Sequence, residues 1–517
     1  MFGGVMRSLI VIILVVSKIS LVSSQFVQQG TKLVGAGAIG GALQGYSVSL
    51  SSDGNTVLMG GYRNDGFVGA AWVFTRNGEV WSQQGNALVG EGAAGVASQG
   101  YSVSLSSDGN TALVGGIGDS GNEGAAWVFS RNGGVWDEEG AKLVGTGATG
   151  RSLQGSAVSL SSDGNTAILG APTDNNNTGA AWIFTRNGSG WVQQGSKLVG
   201  MGSDGRPVYQ GCSVSLSADG NTAIVGGYHD AGGVGAAWIF TRNGTVWSQQ
   251  GCKLVGKEAA GYALQGVSVA LSSDGNIAIV GGWSDNNGMG AAWVFARNGS
   301  VWSQQDTKLV GSGAAGGAAQ GSSVSISSNG NTALVGGYLD SSGTGAVWVF
   351  RRSGVGWHQQ GKKIVGKGAE GESHQGVCVS LSSDGNTFAA GGHFDSCFAG
   401  AVWIYTRSAV GVREDAEGKP REFRLMQNYP NPFNPCTTIG YDLPGDMHVR
   451  IRLFNVLGQG VATLVDEDQK AGHRSIDWNG SNLASGIYCY RLDARVPESD
   501  SRKGSGYTSM KKMILLR

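Results

Sequence analysis

With 517 residues, 91 of them Gly, only 8 Pro and 14% charged side chains, the chain is long enough for two or more domains and far from an average globular composition. Glycine without a G-x-y period excludes collagen, and 40% hydrophobic residues with 15 Trp exclude disorder. Lys plus Arg equals Asp plus Glu at 37 each, so there is no global field to draw in nucleic acid or an anionic membrane, and no nucleic-acid partner is expected.

In chain order, Arg7 precedes the apolar run Leu9 to Val16, interrupted at Lys18, and Val22, Ser23 and Ser24 offer small residues for cleavage. This pattern predicts a signal peptide over 1–24. No later run is apolar for long enough to span a bilayer, so no transmembrane segment is expected after signal removal, and the mature protein is expected outside the cytoplasm. The six Cys residues are scattered and do not recur with the repeats described next, so no disulfide framework is expected.

From Ser47 the words SVSLSSDGNT return again and again, and their turn residues Asp53, Asp108, Asp163, Asp219, Asp274, Asn329 and Asp384 are 55 residues apart, with one step of 56. A fixed period of this length marks a solenoid, propeller or array. Each copy holds four strand-like runs, shown in the first by QGYSVSLS, TVLMGGY, GAAWVFTR and VWSQQGNALVG, with Asp-Gly and Asn-Gly turns between partners. Four antiparallel strands per copy predict a propeller blade. An orphan fourth strand, FVQQGTKLVG, precedes the first full copy, and the last copy lacks its own after Arg407. The expected fold is therefore all-β: a seven-bladed β-propeller over 25–407, closed by its N-terminal strand, which removes an open sheet edge. Trp72, Trp127, Trp182, Trp238, Trp293, Trp348 and Trp403 read as packing between blades, as do six further Trp from Trp81 to Trp357 in the fourth strands. The recurrent Gln of each QG pair, Gln44 through Gln375, is expected to ring the channel mouth.

These repeats resemble the FG-GAP family of integrin-alpha-like propellers: QGYSVSLSSDGNT stands where that family has its FG, strand and turn, and Gly170, Ala171 and Pro172 keep the GAP triplet once. The resemblance implies a surface or secreted binding propeller, and in some members calcium. Here Asp53 stands alone between Ser49, Ser51 and Val57, too few carboxylates for a cation that takes about six to eight oxygens, so the Asp reads as a turn former and no cofactor is expected.

A charged linker, 408–422, leads to 423–517, whose short strands predict a small Ig-like β-sandwich. Asn428, Pro430, Asn431, Pro432, Asn434 and Pro435, followed by Leu457, Gly458, Gln459 and the terminal KKMILLR, resemble the type A C-terminal sorting domain of the type IX secretion system of Bacteroidetes-like bacteria. That resemblance implies the secretion machinery as partner and a secreted or cell-surface location.

For chemistry, the loops before the innermost strand and after the second strand share one face and carry the variable stretches, where binding residues are expected. Asp119, Asp174, Asp230, Asp285, Asp340 and Asp395 lie in the second of these loops as candidate ligand-binding residues, with turn forming as the alternative. In the last repeat His374, His393, Asp395 and Cys397 form a weak metal candidate whose spacing matches no ligand pattern. No catalytic constellation stands out. A binding or adhesion propeller with an extracellular glycan or protein ligand is expected, the alternative being a secreted glycan-active hydrolase or lyase.

Overall fold

The repeated words fold into hairpins. In the first repeat Ser47–Leu50 and Thr56–Gly61 pair antiparallel, with Ser47 opposite Gly60. Asp53 builds the turn between them: its Oδ1 accepts from the Ser51 hydroxyl at 2.6 Å and the Asn55 N–H at 2.9 Å, and its Oδ2 accepts from Asn55 Nδ2 at 2.9 Å. Partial burial works against the Asp53 charge, but the Ser51 and Asn55 donors outweigh it and hold the carboxyl below its usual range. Ala70–Asn77 then pairs with Thr56–Gly61, and Val80–Gln83 with Ala70–Asn77.

This is a computed structural model of the chain, and it describes residues 26–188, 190–203, 207–354, 356–407, 423–428, 431–495 and 506–516. The expected signal peptide, the linker 408–422 and Pro430 lie outside the described residues. The chain divides into two units, one of them Gln25–Arg407 and the other containing Ser408–Arg517.

Within Gln25–Arg407 the four-stranded antiparallel sheet recurs six more times, in a propeller-like arrangement. The inner strands stand side by side in sequence order, and the last, Cys378–Leu381, returns to the first. The serines of SVSLSS make these junctions: Ser47 Oγ donates to the Gly100 carbonyl at 2.9 Å, Leu105 N–H donates to Ser49 Oγ at 3.0 Å, and Ser52 Oγ donates to Ser107 Oγ at 2.8 Å. Across the closing junction Leu50 N–H donates to Ser380 Oγ at 3.0 Å. Sheets approach so closely here that a Cβ on Gly60 would lie 2.0 Å from the Gly100 carbonyl oxygen.

The N-terminal strand closes the last sheet. Phe26–Gln28 pairs antiparallel with Ala401–Arg407, Phe26 opposite Arg407 and Gln28 opposite Tyr405. Phe26 also packs edge-on against Phe388, with centroids 4.9 Å apart.

Trp72 and its six equivalents are fully buried, as their recurrence implied. Each indole donates to a carbonyl in the tail of the preceding repeat, Trp72 Nε1 to Ala36 at 3.0 Å and Trp238 Nε1 to Met201 at 2.8 Å. Two expectations need correction. Of the fourth-strand Trp, only Trp357 is buried; the others are half-buried at the rim, where Arg76 lies 5.5 Å over the Trp81 ring and Trp81 Nε1 donates to Gln29 Oε1 at 3.1 Å. Each of these half-buried rings packs under the arginine of its own repeat, and all but Trp191 reach the preceding repeat through an amide contact, which fits a ring that is both large and polar at one end. The QG glutamines do not ring the channel mouth: Gln44 is 1% exposed, its Oε1 accepting from Gly35 N–H at 2.5 Å and its Nε2 donating to Gly35 O at 2.9 Å. A primary amide satisfies a backbone N–H and C=O together, which explains why Gln recurs.

In the second unit one sheet contains Arg424–Leu425, Cys436–Leu443 and Gly472–Asn479, and the other Gly460–Gln469, Met447–Phe454, Gly486–Arg495 and Tyr507–Leu515. Ile439, Leu443, Ile451, Leu453, Tyr490 and Leu492 from both sheets form one core. The six cysteines are free. Among the described residues no helix is long and apolar enough to cross a membrane.

Candidate ligand-binding site

The second strand of each sheet ends in a tight loop that opens with the candidate Asp. Asp285–Gly288 is typical, with Asn286 and Asn287 left-handed at φ 49° and 58°. Asp119, Asp174, Asp230, Asp285, Asp340 and Asp395 are all buried, at 0–1% exposure. Their carboxylates are used internally. Asp285 Oδ1 accepts from Ala260 N–H at 2.7 Å, and Oδ2 pairs with Lys308 Nζ at 2.5 Å. Lys142, Lys197, Lys253, Lys363 and Lys32 pair in the same way with Asp119, Asp174, Asp230, Asp340 and Asp395. In the first sheet Asn64 replaces the acid and accepts from Ile39 N–H at 2.8 Å. Except at Asp230, whose Oδ1 has no partner among the described residues, these side chains hold the two variable loops of a repeat together, and a ligand arriving on that face meets other groups. Asp285→Ala is expected to lower stability by about 2 kcal/mol, because it leaves a half-buried ammonium with the Glu258 carbonyl but no counter-charge and strands a loop N–H. Chemical denaturation of wild type and variant measures this, and Asp285→Asn, which keeps the acceptor, should recover part of the loss.

What the face offers instead is, in several repeats, a residue beside the QG pair or just after the second-strand Gly-Gly. These side chains line a cavity of about 630 Å³ at the mouth of the ring, including Tyr46, Tyr101, Trp283, Tyr338, His374 and His393. The cavity is asymmetric. Tyr46 touches Tyr62 at 4.7 Å between centroids, Tyr101 at 5.0 Å and His393 at 5.4 Å. His393 lies 5.3 Å from His374 and 4.2 Å from Phe394, and His374 lies 5.3 Å from Tyr338. Rings thus run continuously from the sixth sheet through the seventh and first to the second. Beside them Arg63 bridges the exposed Phe67 and Phe398, 5.3 and 6.0 Å from the ring centres. The arc escapes a reading that follows what recurs; its signal lies in three columns where the repeats disagree, just before QG, just after it and after the second strand.

Burial, and then the neighbouring phenol of Tyr101, push the Tyr46 hydroxyl well above its ordinary value. Burial and the adjacent His374 push His393 down to about 4, and burial also lowers His374. Both imidazoles are therefore neutral at neutral pH. Because the unfolded His393 titrates near its ordinary 6.5, the unfolded state binds more protons between that value and about 4. Stability from this group is complete above pH 6.5 and is expected to fall as pH drops through that window. His393→Tyr should flatten this part of the stability profile, measured by denaturant titration at successive pH values.

His374, His393, Asp395 and Cys397 do not converge. Asp395 is paired with Lys32, Cys397 is exposed, and among the described residues no group of three or more His, Cys, Asp or Glu is arranged to hold a metal.

The motif of the second unit ties its first loop to the final strand. Asn428 N–H donates to Tyr490 Oη at 2.8 Å, and Asn428 Nδ2 donates to Thr437 Oγ1 at 3.0 Å. Asn431 Oδ1 accepts from Ile514 N–H at 2.9 Å, while Phe433 N–H donates to Ile514 O at 3.0 Å. Pro432 and Asn434 are exposed, and the Pro435 carbonyl accepts from Gly480 N–H at 2.8 Å. Gly458 is left-handed at φ 76° in an exposed turn where Asn455 Oδ1 accepts from Gln459 N–H at 3.0 Å.

Residues 427–503 match the family described as the secretion system C-terminal sorting domain. The chain therefore carries a type IX sorting domain, the mark of a secreted or cell-surface protein of Bacteroidetes-like bacteria. No curated protein matches the sequence. Among solved structures, a candidate 6-phosphogluconolactonase from Bacteroides uniformis is similar at 15% identity and TM-score 0.45, covering 65% of this chain and 90% of its own. Hydrazine synthase from Kuenenia stuttgartiensis is similar at 13% identity and TM-score 0.44, covering 74% of this chain and 99% of its own.

Proposed function

We propose that Gln25–Arg407 is a seven-bladed propeller of the FG-GAP type, and that it works outside the cell as a binding or adhesion module rather than as an enzyme. An N-terminal signal peptide and the C-terminal sorting domain, read as an Ig-like sandwich, would deliver it through the type IX machinery. The observation that carries this reading is the asymmetry of the mouth. On a ring of near-identical sheets, Tyr46, Tyr62, Tyr101, His374, His393 and Phe394 gather on one side of one face. Packing alone does not require such departures, since the second sheet folds with Ile117, the third with Pro172 and Ser156 and the fifth with Val267 at corresponding places, and the smaller ring cluster of the fourth sheet, Tyr209, Tyr228 and His229, lies outside the cavity. Rings on a rigid scaffold supply contact area at little entropic cost. The ligand class at this level is an extracellular glycan or protein. Calcium and other cofactors have no part in the proposal, since Asp53 and its equivalents already accept from Ser and Asn donors.

A second reading, a secreted glycan-active hydrolase or lyase, draws on the His374–His393 pair in the mouth. The two separate by the fate of the ligand. The full chain is incubated with extracellular polysaccharides and matrix proteins, and both retention and the mass of the recovered polymer are measured. Retention with unchanged mass is expected; shortened polymer would replace the binding reading with the enzymatic one.

A further inference from the structure

We infer that the mouth of the ring holds the end of an uncharged saccharide chain, between Tyr46 and Tyr101 on one side and the His374–His393 pair on the other. The inference rests on the binding reading above and narrows its ligand. Three features of the cavity lead to it. First, no Asp, Glu, Lys or Arg lines it, so an anionic or cationic group entering would lose its hydration without meeting a counter-charge. Second, Tyr46, Tyr101, Trp283, Tyr338 and Phe394 give it aromatic walls. Such rings are matched by the C–H face of a pyranose as well as by any apolar group.

The third feature separates those two. His393 is only 7% exposed; its Nδ1 and that of His374 are enclosed, which leaves the Nε2 of each ring, without a hydrogen-bond partner among the described residues, as the nitrogen that can meet a ligand. A buried polar nitrogen left unpaired is costly, and a purely apolar occupant would leave both unpaired. A hydroxyl both donates and accepts, so a polyhydroxylated ligand can satisfy either tautomer of either imidazole. Apolar faces, many hydroxyls and no charge together describe a neutral saccharide, and a volume of about 630 Å³ lies within the range of small-ligand sites.

The repeats themselves supply substitutions the backbone tolerates. Val267 and Val377 occupy in the fifth and seventh repeats the place of Tyr101, and Leu43, Leu153 and Leu264 occupy the place of His374, with the same left-handed φ near 55°. Full-length protein is applied to an array of neutral oligosaccharides, uronic-acid and sulfated oligosaccharides, and enzymatically deglycosylated matrix proteins. Retention on neutral oligosaccharides is expected, weakened at least tenfold by Tyr101→Val and by His374→Leu. Tyr262→Ala, exposed and outside the cavity, should leave it unchanged. Retention on anionic saccharides alone, or neutral binding that survives both mouth substitutions, would overturn the inference. Retention only on deglycosylated proteins would overturn the saccharide assignment but keep the binding reading, and no retention anywhere would remove both.

Discussion

Deleting Phe26–Lys32 is expected to abolish cooperative unfolding of the propeller unit near its wild-type midpoint and to produce aggregation. Three losses coincide. The strand Ala401–Arg407 becomes an open edge, a template for pairing with other chains. Phe26, 6% exposed against Phe388 and Tyr405, no longer covers that core, a loss of about 2 kcal/mol. Asp395, fully buried, loses its lysine partner, Lys32 at 2.6 Å, and an uncompensated buried charge costs about 3–5 kcal/mol. Together these approach the whole stability of an ordinary domain. Denaturant unfolding followed by fluorescence, with light scattering of the same samples, tests this. A deletion variant that stays monomeric and unfolds within about 1 kcal/mol of wild type would mean that the ring does not depend on its closing strand.

The second large effect is expected at Gly200. Its backbone is not left-handed, so conformational freedom is not why glycine stands there. A Cβ would lie 2.2 Å from Cδ1 of Trp238, whose indole is fully buried and fixed by its bond to Met201 O. Neither the ring nor the loop can move without losing that bond and the Gln210 clamp on Gly200, at 2.6 and 2.9 Å. Gly200→Ala, a single methyl, should therefore cost about 3 kcal/mol, at the upper end for overpacking. Gly195→Ala, in an open position five residues earlier, should act only through its positive φ of 74° and cost about 1 kcal/mol. Equal losses from the two would show that the Trp–Gly contact does not govern this site.

Much of the architecture was legible because it is written in repetition. The Asp-Gly turns, the four runs per repeat and the orphan strand at Phe26 each follow from local patterning, and the closing strand pairs as the missing piece required. Burial of the recurrent Asp and Gln side chains was not legible. Asp285 and Gln265 bond to residues 25 and 9 positions away in sequence, Ala260 and Gly256, and polar residues in Gly-rich loops look the same whether they face solvent or staple two loops together. The same blindness hid the mouth. Tyr46 and Tyr62 of the first repeat, Tyr101 of the second and His393 of the seventh meet because the inner strands converge on one axis. The sorting motif was legible for the opposite reason: Asn428 to Pro435 form a dense local signature, and Asn428 and Asn431 make the ties that fix it to Tyr490 and Ile514.

The central claim is that the ring meets its ligand at the asymmetric mouth, and hydrogen–deuterium exchange of the full chain with and without a retained polymer tests it most directly. Protection is expected over the inner-strand starts and variable loops near Tyr46, Tyr62 to Phe67, His374 and His393 to Phe398, with none at the opposite turns around Ser52 to Asn55. Protection centred on those turns, or on the outer strands around Trp81 and Trp136, would place the ligand elsewhere and contradict the account.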